Sequence, residues 1–168
     1  MQINKKYVFI GIIVTLILLV ITLFLTWYIT LYHTKNSHAE VVDEYADLAF
    51  EHGEIETIDE SFEYHGENAY FVYLGENSDE KAYYIFVPKS KNMDEMITVE
   101  EEEGLTKDEM LSRWSEDCSN CDLKSISPGI INDQLVWEII YTADGRYYFQ
   151  NYYFQDGEIY DSISFRQQ

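Results

Sequence analysis

The sequence predicts an α+β protein in which an apolar N-terminal helix is followed by two tandem domains, each a helix packed on an antiparallel sheet. Three observations carry this. An uncharged run of 26 residues lies near the start of the chain, the hydrophobic period beyond it switches twice from helical to alternating, and the two rounds overlay on one another.

The run from Tyr7 to Tyr32, "YVFIGIIVTLILLVITLFLTWYITLY", covers a hydrocarbon core of roughly 30 Å at about 1.5 Å per residue. It predicts a transmembrane helix over 7–32. Lys5 and Lys6 precede it and nothing acidic occurs before Glu40, so residues 1–6 are expected in the cytoplasm and the remainder outside the cell. Trp27, Tyr28 and Tyr32 cluster at the far end, where amphipathic rings favour the headgroup layer. The run is too long for a cleaved signal peptide, and "LYHTKNSHAE" offers neither a small-residue cleavage site nor a cysteine for a lipid anchor. An uncleaved, single-pass signal anchor in the cell membrane is the expectation.

The chain has 168 residues and a formal charge of −20. All 31 acidic residues follow the apolar run, against nine Lys and Arg once Lys5 and Lys6 are set aside, which gives that part −22. Such a field repels phosphate backbones and anionic polymers and excludes nucleic acid as a partner. The acids read as solvated faces, with a cationic partner surface or weakly held divalent ions as the alternatives.

Beyond the run, "SHAEVVDEYADLAFEHG" places Val41, Val42, Tyr45, Leu48 and Ala49 at helical spacing and ends at Gly53. Three strands follow, "IETIDESFEYHG", "NAYFVYLG" and "KAYYIFVP", separated by turn formers. The acidic run Glu100 to Glu103 lacks the alternating Asp/Asn loop and central glycine of a calcium hand and reads as a solvated linker between the copies. The second round opens on "EEGLTKDEMLSRWSEDC", where Thr106 and Glu109 have the spacing of a capping box, and Met110, Trp114 and Cys118 share a helix face beside Leu111. Four strands follow, "DLKSISPGII", "QLVWEIIYT", "RYYFQNYYF" and "EIYDSISF", broken at "ND", "ADG" and "QDG". In the overlay, Tyr70, Val72 and Leu74 fall on Trp137, Ile139 and Tyr141. The expected domains are 33–92 and 93–168; each is near the lower limit for an independent core, so the copies are expected to pack together.

"AYYIFVP" at 82–88, "EEGLTKDEM" at 102–110 and "LVWEIIYTADGRYYFQNYYFQDGEI" at 135–159 resemble the tandem PepSY-like proteins of Gram-positive bacteria, the TseB-like regulators of cell wall elongation. The resemblance implies two PepSY-like (cystatin-like) domains and a non-enzymatic, extracytoplasmic regulator of peptidoglycan elongation that binds a class B penicillin-binding protein. It implies no catalytic residues and no cofactor. PepSY-type domains also resemble inhibitors or propeptide-like modules of extracellular peptidases, which is the alternative function.

The remaining chemistry is sparse. His33, His38, His52 and His65 have no zincin spacing, and no Gly-x-Ser-x-Gly elbow occurs. Cys118 and Cys121 sit at the C-terminal end of a helix, where the dipole and Glu116, Asp117 and Asp122 oppose a thiolate. A structural disulfide is favoured over free thiols or redox catalysis, and zinc would need two more soft ligands. No small-molecule substrate is indicated.

The densest aromatic string, Arg146 to Phe154, carries six rings in nine residues. With Asp144 and Gly145 as a two-residue turn, Tyr141 opposes Tyr148, Ile139 opposes Gln150 and Trp137 opposes Tyr152. Those side chains and Phe154 form one face, expected to pack under Met110, Leu111 and Trp114. The other face carries Ile140, Tyr147, Phe149 and Tyr153 with Glu138 and Asn151, and either the first copy or a partner protein is expected to cover it.

Overall fold

The computed structural model describes residues 5–118 and 120–166; within the N-terminal helix it describes the side chains of 13, 15–29 and 42 onward. The chain resolves into two units, Met1–Asp43 and Glu44–Gln168. Helix α1 runs over Lys5–His52. In the first unit the side chains of 15–29 are exposed. The Thr22 hydroxyl donates to the Leu19 carbonyl at 2.8 Å and the Thr26 hydroxyl to the Thr22 carbonyl at 3.0 Å, while Phe24 and Trp27 meet edge to face.

The structure corrects the membrane span expected at 7–32. Among the described residues, no helix is long and apolar enough to cross a membrane. With the span go the readings that depended on it: the transmembrane signal anchor in the fold class, the single-pass membrane localisation with a cytoplasmic N-terminus, the membrane-anchored cell wall regulator, and the anchored penicillin-binding protein as partner.

The second unit holds two four-stranded antiparallel sheets. The first has the order β1 (Glu60–His65), β2 (Ala69–Glu76), β3 (Ala82–Pro88), β4 (Ile97–Glu100). After helix α2 (Lys107–Asp117), the second runs β5 (Asp122–Ile131), β6 (Gln134–Ala143), β7 (Arg146–Tyr153), β8 (Ile159–Arg166). β4 is the strand absent from the sequence expectation; it pairs Tyr84 with Val99 and ends at Glu100, inside the stretch read as linker. The Thr106 capping box forms with both reciprocal bonds present, satisfying two helix-end N–H groups. Asp144 and Gly145 both take positive φ, 49° and 69°, the two-residue turn whose twist matches the strands it joins. The register Tyr141↔Tyr148, Ile139↔Gln150, Trp137↔Tyr152 follows from it.

The first sheet is covered on both faces. Phe71, Tyr73, Ile85 and Val87 are buried on one, where Tyr45 and Ala49 of α1 are also buried; the Tyr45 ring lies 4.6 Å from Phe71 and its hydroxyl donates to the Lys89 carbonyl. The opposite face carries Phe62, Tyr64, Tyr70, Val72, Tyr84 and Phe86 and shares one core with Met110 and Trp114 of α2 and Trp137, Ile139, Tyr141, Tyr152 and Phe154 of the second sheet. Trp137 is at its centre, in edge-to-face contact with Tyr84 at 5.7 Å and stacked on Phe154 at 5.9 Å, its indole N–H donating to the Leu105 carbonyl at 3.0 Å. The helices break the strict repeat. Tyr70 and Val72 overlay on Trp137 and Ile139 and share a core with them, yet α1 packs on the other face of β2, whereas Trp114 of α2 lies against Tyr141 on the Trp137 face.

Candidate functional site

That asymmetry leaves the β7–β8 side of the second sheet's other face open, while on its β5 side Tyr64 of the first sheet lies against Gly129, the cross-strand partner of Val136. The pleat sends Val136, Glu138, Ile140 and Thr142 to this face, and cross-strand pairing adds Tyr147, Phe149, Asn151 and Tyr153 from β7 and Asp161, Ile163 and Phe165 from β8. Tyr147 is 39% exposed, Tyr153 36%, Ile163 56% and Phe165 54%; Phe149 and Ile140 are half-buried. Tyr147 pairs with Phe165 and Phe149 with Ile163, and the rings of Phe149 and Phe165 meet at 6.0 Å. Contiguous exposed rings of this kind are uncommon on a surface with no partner. The contribution of β8 was missed from sequence. The alternation of Asp161, Ile163 and Phe165 was its signal, and it needed the β7–β8 register to be read.

One polar row crosses the apolar field. Ser127, Glu138, Asn151 and Asp161 are successive cross-strand partners from β5 to β8. The Asn151 side chain donates from Nδ2 to Asp161 Oδ1 at 2.6 Å, and its Oδ1 is buried without a hydrogen-bond partner. Glu138 has no ion-pair partner among the described residues. Burial, and then the charge of Asp161, raise its carboxyl above the ordinary range. Burial, then Glu138 and Asp161, push the Tyr64 phenol up to about 12.

Glu138, Ile140 and Phe149 also line a groove of about 750 Å³ between the edge strands β1 and β5. The lysines on its wall are already matched, Lys107 with Glu60 and Lys124 with Asp122, and the His65 ring lies 3.2 Å from the Glu63 carboxylate.

Cys118 caps α2 and is joined to Cys121 in a disulfide, with Cα atoms 5.6 Å apart. Both are partly buried against the shared core, away from the open face. His52 and His65 lie beside Glu51 and Glu63; the side chains of His33 and His38 are outside the described residues. Among the described residues, no cluster of three or more His, Cys, Asp or Glu is placed to hold a metal ion.

Two helix-and-sheet layers share one core, with Trp137 near its centre and a partly open aromatic face on the second sheet. Residues 46–88 match the family described as "Cell wall elongation regulator TseB-like domain", a likeness that covers this part of the chain. The match spans the end of α1 and β1 to β3. Of the strings that carried the resemblance, 82–88 lies inside it, while 102–110 and 135–159 lie outside.

Among solved structures, the YpmB protein from Bacillus subtilis is similar at 22% identity and a TM-score of 0.62, over 73% of this chain and 95% of that one. This likeness shows the fold. A proposed lipoprotein from Clostridium difficile 630 aligns at 14% identity and a TM-score of 0.39, over 73% of this chain and 91% of its own. No curated protein matches the chain.

Proposed function

We propose that the chain is a non-catalytic TseB-like regulatory domain that acts by protein contact through the open face of its second sheet, with Ile140, Tyr147, Phe149 and Tyr153 as the contact residues named from sequence and Ile163 and Phe165 beside them. The observation that carries this reading is the position of the first repeat. It packs on the Trp137 side, so these rings are not spent on the core of residues 44–168. Aromatic residues are enriched in the buried centres of protein interfaces, and a half-apolar face with a polar row has the composition of a reversible contact surface.

The experiment is in-cell photocrosslinking from positions 147 and 149, compared with position 102, which lies on the exposed acidic turn before α2. The reading expects a discrete protein adduct from 147 and 149 and none from 102. Equal capture from all three sites, or none from 147 and 149, overturns it.

A further inference from the structure

The chemistry of the partner can be taken further, on the footing that the open face is the contact site. We propose that the row Glu138, Asn151 and Asp161 receives an arginine side chain carried on an apolar segment of the partner protein.

Three observations converge on this row. First, the fold leaves its acceptors incompletely met, Asp161 Oδ1 alone receiving a donor, from Asn151 Nδ2. Glu138 has no ion-pair partner among the described residues, and Asn151 is 8% exposed with its Oδ1 unpaired, a costly condition for a buried amide oxygen. Second, its span suits a guanidinium. Adjacent strands lie about 4.8 Å apart, so the Glu138 and Asp161 backbones on β6 and β8 are about 10 Å apart with Asn151 between them. A planar fork of five N–H donors reaches two carboxylates from one position, which a compact ammonium does less well. Third, Phe149 and Tyr153 stand two residues to either side of Asn151 on the same face of β7, giving the flanking rings that favour a guanidinium by cation–π and stacking contact.

The setting selects against other occupants. A second copy meeting this face through a twofold axis would bring Glu138 and Asp161 against their own like charges, at a chain charge of −20. A calcium ion would need six to eight oxygen ligands, and no metal-holding cluster occurs among the described residues. The chain's own lysines in the adjoining groove are already paired with other carboxylates.

The test uses the full ¹⁵N-labelled chain and two blocked tripeptides, acetyl-Leu-Arg-Leu-amide and its neutral citrulline isostere. The arginine peptide is expected to shift the Asn151 side-chain amide and the Glu138 and Asp161 backbone amides saturably. The citrulline peptide should bind about tenfold more weakly, the difference typical of losing a charge-assisted contact. Glu138→Gln, which keeps the side-chain size and removes only the charge, should bring the arginine peptide close to the citrulline value while the spectrum stays dispersed. Equal binding of the two peptides at this face overturns the arginine inference while leaving the contact-face reading standing. Absence of shifts in the row with either peptide also overturns the inference. Failure of the 147 and 149 crosslinks, by contrast, removes the contact face itself.

Discussion

Gly129 on β5 sits where the two sheets touch, and replacing it with alanine tests whether they form one cooperative body. A Cβ there would lie 2.6 Å from both Cδ2 and Cζ of Tyr64, well inside the ordinary contact range of about 3.5–4.0 Å. The ring has little room to retreat. Tyr64 is 1% exposed, and its hydroxyl donates to the Ile130 carbonyl at 3.2 Å, so a shift of about 1 Å loosens the packing and this hydrogen bond together. Overpacking of this kind costs about 1–3 kcal/mol, and the reduced freedom of the unfolded chain returns about 0.4–1 kcal/mol. Gly129→Ala is therefore expected to lose about 1–2 kcal/mol. Urea unfolding followed by tryptophan fluorescence reads it as a lower midpoint at unchanged slope, in one transition. Tyr64→Ala alone should lose about 3–5 kcal/mol by leaving a cavity. In that background Gly129→Ala should become neutral or stabilising, because the added methyl enters the vacated space. The same cost in both backgrounds, or a Gly129→Ala midpoint equal to wild type, would refute the contact as the source of the effect.

Other expectations follow from single groups. Thr106→Ala removes one side of the capping box and should cost about 1 kcal/mol in the same unfolding assay, with Thr106→Ser close to wild type. The Tyr64 phenol is raised to about 12 by burial first and then by Glu138 and Asp161, so its contribution to stability is complete below the ordinary phenol pKa of about 10 and is lost as pH rises through about 12. Tyr64→Phe should flatten that part of the alkaline unfolding profile. Glu138, raised by burial and Asp161, is costly in its ionised form; Glu138→Gln should raise the melting temperature at pH 7, and the gain should vanish as pH falls below the ordinary carboxyl range. A gain that persists in acid would point to packing rather than charge.

Much of the second sheet was legible because its rules are local. Asp144 and Gly145 fix a two-residue turn, the turn fixes the β6–β7 register, and the register assigns every ring from Tyr147 to Phe154 to a face. β4 was not legible. Ile97–Glu100 is four residues long beside an acidic run, and it is a strand because β3 offers an edge at Tyr83 to Phe86. The tandem overlay aligned the core rows but could not say on which side each helix would pack. The apolar N-terminal run shows the limit from the other direction: composition predicts a membrane helix, and the described residues contain no helix long and apolar enough to be one.

The sequence by itself determined the paired helix-and-sheet rounds, the hairpin register and the two-faced character of the aromatic strand, since turn chemistry and a period of two act between neighbours in the chain. It also held a cue to which sheet is covered twice: β2 and β3 read as nearly unbroken apolar runs, whereas β7 carries Gln150 and Asn151 amid its rings. Only the tertiary structure decided that the first repeat packs on the Trp137 side, that Ile163 and Phe165 join Tyr147 and Phe149, and that Glu138, Asn151 and Asp161 form one row across three strands. Those facts depend on contacts between segments far apart in the chain, where burial of apolar area selects the partner and local propensity has no say.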